Sequence, residues 1–172
     1  MRLASLTALL TFGLDQASKI AVVHGLNLIG RGEIDVLPPF LVFRMAWNYG
    51  VNFGLLAGGS DLTRWLLIAV ALAISVWVWL WVRRGAPGRW VQISAGLLIG
   101  GALGNVIDRL RYGAVTDFLN MSCCGIENPY AFNLADIAIF AGAAGLVLFT
   151  GKPSAGPGSK PRAGRKGGRK AP

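Results

Sequence analysis

Two acidic side chains stand out by the company they keep. Asp117 lies in "GAVTDFLN", and Asp136 in "AFNLADIAIFAGAAGLVLF", a stretch apolar enough to enter a membrane. A carboxylate facing lipid costs on the order of 2.5–3.5 kcal/mol at a helix centre. A chain that keeps one there needs a reason for it. Asn133 stands three residues before Asp136, on the same helix face. Two carboxylates held together in a poorly hydrated site cannot both ionise easily, so the pair shares one proton. Such a pair can hold a water. The ionised member takes a proton from the water as it attacks a carbonyl, and the protonated member donates to the carbonyl oxygen. That is peptide hydrolysis without a metal, a cofactor or a covalent intermediate. On spacing alone, a proton or ion pathway and a purely structural pairing account for the same acids.

The elements that must position these groups are membrane spans. Of 172 residues, 53% are hydrophobic and only 15% charged, against ~25% in a soluble domain, and the mean hydropathy is +0.52. Four apolar segments stand out, at about residues 3–24, 62–82, 90–108 and 131–149. Each approaches the ~20 residues that cross a hydrocarbon core of ~30 Å. Trp77, Trp79 and Trp81 crowd one end of the second segment, as in an interfacial belt. Asp15 and Lys19 interrupt the first, and no convincing small-x-small cleavage site follows, so it reads as an uncleaved span and not a secretory signal peptide.

Basic residues set the expected orientation. Arg2 precedes the first span, Arg83, Arg84 and Arg89 fill the short turn between the second and third, and seven more Lys and Arg follow the fourth. All eight acids lie in the spans or in the other two loops. Both termini and the short turn are therefore expected in the cytoplasm, with residues 25–61 and 109–130 outside. The net charge of +9 is concentrated on the cytoplasmic side, which suits anionic lipid and gives no ground for a nucleic-acid partner. The expected organisation is a four-helix membrane domain over residues 1–150 and a disordered basic cytoplasmic tail over 151–172. The first outer loop is about 37 residues long and carries apolar and aromatic runs around Pro38 and Pro39. It predicts short strands followed by a segment lying on the membrane surface. Cys123 and Cys124 are adjacent, which fits neither a zinc site nor a disulfide framework, and they read as unpaired thiols.

Other polar residues in the spans are grouped. Asp15 and Lys19 are four apart and form an expected structural ion pair. Gly96, Gly100, Gly104 and Asp108 recur every four residues, a small-residue stripe against which another helix can pack closely. The stripe ends in Asn105, Asp108 and Arg109, where the adjacent acid and arginine can hydrogen-bond in a charge-assisted way. Ala138 with Gly142, and Ala141 with Gly145, offer a second close-packing surface on the fourth span. His24 is single and reads as an interfacial residue. Ser18 and Lys19 are neighbours in sequence, which does not suit a catalytic Ser–Lys pair on facing elements.

Four blocks, "DQASK", "WNYGVNFG", "GGALGNVIDRLRYGAVTDFLN" and "FNLADIAIF", occur in that order across residues ~10–149. Together with the four-span layout, they resemble the lipoprotein signal peptidases, also called signal peptidase II. The resemblance implies a bacterial membrane aspartic peptidase that cuts diacylglyceryl-modified prolipoproteins just before the lipidated cysteine. It implies an all-α protein of four transmembrane helices, a small extracytoplasmic β-rich cradle and a surface-lying helical segment. The expected setting is the inner membrane, with the active site near the outer face and the chain acting as a monomer on prolipoprotein in contact with lipid. By the match, Asp117 and Asp136 are catalytic. Asn48, Gly50, Asn105, Asp108, Arg109 and Asn133 bind substrate or support the pair, and no metal is implied. Asn48 and Arg109 are the candidates for gripping substrate, and Asn105 and Asn133 for orienting the carboxylates. A clamp over residues ~35–58 is expected to close on the cleavage region. Asn52, Gly54 and the "NMSCCGIENPY" loop depart from the family pattern.

Overall fold

The computed structural model describes residues 1–50, 61–85 and 87–150. Helix α1 spans Arg2–Lys19 and continues as a π-helical turn over Ile20–Gly25. A short helix α2 (Leu28–Arg31) leads into strands β1 (Glu33–Leu37) and β2 (Leu41–Asn48). Helix α3 (Asp61–Gly85) is followed by α4 (Arg89–Tyr112), strand β3 (Val115–Asn120) and helix α5 (Leu134–Thr150). By length and composition, Arg2–Gly25, α3 and α4 are long and apolar enough to cross a membrane. Helix α5 is apolar but has 17 residues, about 25 Å at 1.5 Å per residue.

The distribution of side chains is that of a lipid-embedded bundle. Leu9, Leu62, Trp77 and Val147 are exposed, while Asp15, Lys19, Asn105, Asp108, Arg109, Asn133 and Asp136 are buried. In water that arrangement forfeits the hydrophobic effect. In hydrocarbon the outer surface needs no cover, and the polar groups gather inside, where they can satisfy one another.

Glycines let the helices come close enough to do so. A Cβ on Gly96 would lie 2.7 Å from the Ala4 carbonyl oxygen, one on Gly100 2.5 Å from that of Ala8, and one on Gly104 2.5 Å from Asp15 Oδ2. Helix α1 thus runs parallel to α4 along the predicted stripe, residue for residue. On another face of α4, a Cβ on Gly101 would lie 2.5 Å from the Ala135 carbonyl oxygen. Gly142 of α5 abuts the backbone at Ser94 and Leu98, and Gly145 abuts the Ser94 side chain, so α5 runs antiparallel to α4. Van der Waals contact of this kind is the main force between helices in lipid.

The three strands form one antiparallel sheet in the order β1-β2-β3. It sits at the end of the bundle where α1 and α4 finish and α5 begins. Val23, Leu28 and Phe118 make a small core beneath it, with Phe43 and Met45 packed alongside. Gly113, at φ +81°, takes the left-handed conformation that ends α4 and turns the chain into β3.

Several expectations are corrected. Asp117 follows α4 on a strand, because "VTDFLN" completes the sheet begun by β1 and β2. The third apolar segment does not stop at 108; the helix continues to Tyr112 and carries Arg109 within it. The fourth helix begins at Leu134, since Phe132 is taken up in a bridge with Leu119. Asp108 pairs with Lys19 and not with Arg109, because neighbouring residues on a helix point about 100° apart. Ala141 is exposed, and the close-packed face of α5 is Ala138, Gly142 and Gly145. Cys123 and Cys124 are exposed free thiols. The expected surface segment after β2, with Asn52 and Gly54, and the basic tail lie outside the described residues.

The packing is testable at one glycine. Gly100→Val places a branched side chain against the α1 backbone and should lower the thermal midpoint in detergent by roughly 4–8 °C. Gly13→Ala, which meets nothing within 4 Å, should leave that midpoint unchanged or raise it. Equal midpoints for both variants would contradict the close approach of α1 and α4.

Candidate active site

Asp117 is held from the sheet side. Its register partner on β2 is Ala46, and Asn48 follows two residues along on the same face. The small Ala46 leaves room for Asn48 to reach diagonally and donate Nδ2 to Asp117 Oδ2 at 3.0 Å. The Gly50 N–H donates to Asn48 Oδ1 at 3.1 Å, which turns the NH₂ group toward the carboxylate. The Gly50 carbonyl accepts from Arg109 Nη2 at 2.7 Å, so the buried arginine anchors the end of β2.

Asp136 is held from the helix side. Asn133 is the N-cap of α5: its Oδ1 accepts the Asp136 N–H at 2.9 Å, and its own N–H donates to Asp136 Oδ2 at 3.3 Å. This is a reciprocal capping box with Asp at the third helical position. Asn105 of α4 donates Nδ2 to Asp136 Oδ1 at 2.9 Å.

One residue joins the two halves. Asn133 Nδ2 donates to Asp117 Oδ1 at 2.6 Å, so a single asparagine contacts both carboxylates. The backbone makes this possible. Phe132 donates its N–H to Leu119 O at 2.9 Å and accepts the Leu119 N–H at 2.8 Å, stitching the approach to α5 onto β3. Asn120 Nδ2 donates to the carbonyls of Asn128 and Tyr130 and shapes the loop between them.

Both carboxylates are sealed from solvent, Asp117 at 2% and Asp136 at 5% exposure. Burial pushes the Asp117 carboxyl up to about 7, and the negative charge of Asp136 adds to the rise. Hydrogen bonds from Asn48 and Asn133, and the charge of Lys19, act in the opposite direction. An acid that keeps its proton to neutral pH beside a second carboxylate is what a shared-proton pair requires.

Asp15, Lys19 and Asp108 lie together just below. The Lys19 ammonium is 2.8 Å from Asp15 and 2.9 Å from Asp108. The ion pair expected within α1 is thus a three-membered group that includes α4. Gln16 donates to Asp108 Oδ1 and to the Gly104 carbonyl, and Thr116 donates its N–H to Asp108 Oδ2 at 3.0 Å. Gln16, Thr116 and Asn120 were not among the residues singled out from sequence. Gln16 carried a signal of sorts in its place inside "DQASK"; Thr116 acts through its backbone and carried none.

A cavity of about 450 Å³ leads to Asp136. Leu67, Val70 and Ile74 of α3 face Ile139 and Phe140 of α5 across it, with Leu98 and Ala102 of α4 at its floor. Asn105, Arg109 and Asp136 form its polar end. The cavity is apolar along most of its lining and polar and charged at one end.

Comparison with known proteins gives the same answer from a different direction. Residues 7–151 match the family model described as signal peptidase (SPase) II. A lipoprotein signal peptidase of Methylorubrum extorquens (strain PA1) is 43% identical over 152 residues, covering 88% of this chain and 87% of that one. One from Methylobacterium radiotolerans is 43% identical over 171 residues, covering 99% and 96%. A bacterial membrane enzyme solved by the in meso method at 2.3 Å resolution superposes with a TM-score of 0.72 at 26% identity, over 84% of this chain and 85% of that one. With its family model spanning both acids, the sheet and the cavity-lining helices, the chain belongs to the signal peptidase II family.

Proposed function

We propose that this chain is an aspartic endopeptidase that removes the signal peptide from diacylglyceryl-modified prolipoproteins, cutting just before the lipidated cysteine, with Asp117 and Asp136 as its catalytic pair. The observation that carries the assignment is the joint hold of Asn133 on both carboxylates, one of which, Asp136, lines the polar end of an apolar cavity. In the proposed reaction one carboxylate is ionised and the other protonated. The ionised one takes a proton from water as the oxygen attacks the scissile carbonyl carbon, and the protonated one donates to the carbonyl oxygen. The tetrahedral species then collapses, the C–N bond breaks, and a proton passes to the departing amine of the lipidated cysteine. The rise of Asp117 to about 7 lets the pair keep a proton at neutral pH.

The cavity gives the substrate its route. Acyl chains and the apolar signal segment stay in lipid or between α3 and α5, and only the cleavage region reaches the carboxylates. Arg109 and Asn48, already fastened to Gly50 and Asp117, hold the wall against which the peptide lies. We place α5 as the fourth transmembrane helix, its length completed by the residues that precede it. Both termini and the α3–α4 turn lie on the cytoplasmic side, supported by Arg83, Arg84 and Arg89 at the end of the bundle opposite the acids. We take a single copy as the acting unit, since the described residues of one chain supply both acids and the asparagines that hold them.

Asp117→Asn and Asp136→Asn should each lower cleavage of a lipidated lipobox peptide by at least about 10³-fold while the protein remains inserted and folded. Retained turnover by either purified variant would falsify the pair. The rate should fall as pH rises past about 7, where Asp117 loses its proton. Stability should also fall as pH rises from about 4 to 7, since the folded chain holds a proton there that the unfolded chain releases; Asp117→Asn should flatten that slope in thermal unfolding. The matched region ends at residue 151, so truncation after Gly151 should leave kcat within about twofold of the full chain when equal amounts are inserted.

A further inference from the structure

Lys19 has a more demanding position than an ion pair within one helix needs. It is 5% exposed, and its ammonium has three protons to place. Three acceptors surround it: Asp15 Oδ2 at 2.8 Å, Asp108 Oδ2 at 2.9 Å and Asn105 Oδ1 at 3.3 Å. Only the first lies on its own helix. Each acceptor then makes a second bond, and each second bond ends beside the catalytic pair. Asp15 Oδ1 accepts the N–H of Ala135, the residue before Asp136, at 2.9 Å. Asp108 Oδ2 accepts the N–H of Thr116, the residue before Asp117, at 3.0 Å. Asn105 Nδ2 donates to Asp136 Oδ1 itself at 2.9 Å.

We infer that Lys19 is the positioning residue of this site: one ammonium fixes the strand carrying Asp117 and the helix start carrying Asp136 relative to each other, through Asp108, Asp15 and Asn105. The inference rests on the reading of Asp117 and Asp136 as the catalytic pair. Its geometry is economical. Strand β3 and helix α5 are separate elements, and no covalent link shorter than the loop of residues 121–133 joins them. Lys19 pulls on both from a third element, α1, which Gly96, Gly100 and Gly104 hold hard against α4. A planar guanidinium does not fit three converging acceptors in this way, so the site calls for lysine and not arginine.

The same charge acts on the chemistry. Among the described residues, the titratable and charged groups facing this region are Asp15 and Lys19 from α1, Asp108 and Arg109 from α4, Asp117 from β3 and Asp136 from α5, with His24, Arg111 and Tyr112 lining a small pocket beside Lys19 and Asp108. Lys19 favours the ionised form of Asp117 and so opposes the burial that raises it. Loss of the ammonium therefore does two things that a packing defect alone does not: it loosens the two carboxylates from one another, and it moves the pH at which Asp117 gives up its proton.

The test uses the full-length protein in detergent or proteoliposomes, cleaving a lipidated lipobox peptide. Lys19→Met should lower kcat by about 10²-fold with KM within about threefold, and the alkaline limb of the pH–rate profile should move to higher pH. A Lys19→Met protein with the parent thermal midpoint that keeps its kcat, or keeps its pH profile, overturns the inference. Asp108→Asn covers the case in which Lys19→Met does not fold. It keeps an acceptor oxygen for Thr116 and leaves Lys19 paired with Asp15, and it should lower kcat about 10-fold at unchanged KM. Parent-like kcat in Asp108→Asn overturns the inference equally. Asp117→Asn and Asp136→Asn run alongside separate the two levels. Turnover retained in those variants removes the catalytic pair and this inference with it. Turnover lost in them but intact in Asp108→Asn removes the inference alone.

Discussion

A charged side chain inside an apolar bundle has to find its counter-charge within the bundle, and the rest of this molecule is arranged around that requirement. Lys19 is a buried cation, and Asp15 and Asp108 complete it from two helices. Each of these groups would be costly in hydrocarbon alone. Together they form a polar floor at one end of the bundle, with α4 and α1 parallel and in register beneath it. The floor is connected upward to both acids through the backbone at Thr116 and Ala135.

Close packing and polar satisfaction depend on one another here. The ion group forms only because Gly104 lets Asp15 come within 2.5 Å of where a Cβ would be. In return, the ion group supplies an attraction between helices that lipid cannot supply, since lipid tails are as apolar as leucine. The outer surface carries the complementary property. Leu62, Trp77 and Val147 remain uncovered because the bilayer is their solvent. Arg83, Arg84 and Arg89 stand at the far end, where a headgroup layer can receive them.

The acid pair combines two kinds of support. The strand side offers a rigid, non-local hold on Asp117, set by the register of Ala46 with Asp117 and the diagonal reach of Asn48. The helix side offers a local hold on Asp136, set by the capping box of Asn133. Asn133 belongs to both, so the geometry of helix capping doubles as the geometry of the site. Asp117 sits where burial outweighs the hydrogen bonds that favour its charge, and that imbalance keeps a proton available at neutral pH.

Read alone, the sequence determined a good deal. Apolar runs of membrane length, basic residues free of acids at the ends and in one turn, and glycines every fourth residue are one-dimensional patterns, because helices in lipid satisfy their backbones locally. The two acids were legible for the same reason: a charge in an apolar run is conspicuous. The sequence also placed Asn133 and Asp136 on one helical face by spacing. What the tertiary structure decided is everything that depends on pairing between distant segments. "VTDFLN" carries no alternation, since nearly every residue in it is buried, so its place as the third strand followed only from the presence of β2 beside it. Asp108 beside Arg109 suggested a pair. The 100° turn between adjacent helical residues sent one to Lys19 and the other to Gly50. The side chains that hold Asp117 and Asp136 in place, Asn48 on β2, Asn133 before α5 and Asp15 on α1, act through contacts 16 to 120 residues apart in the chain, which no local pattern encodes.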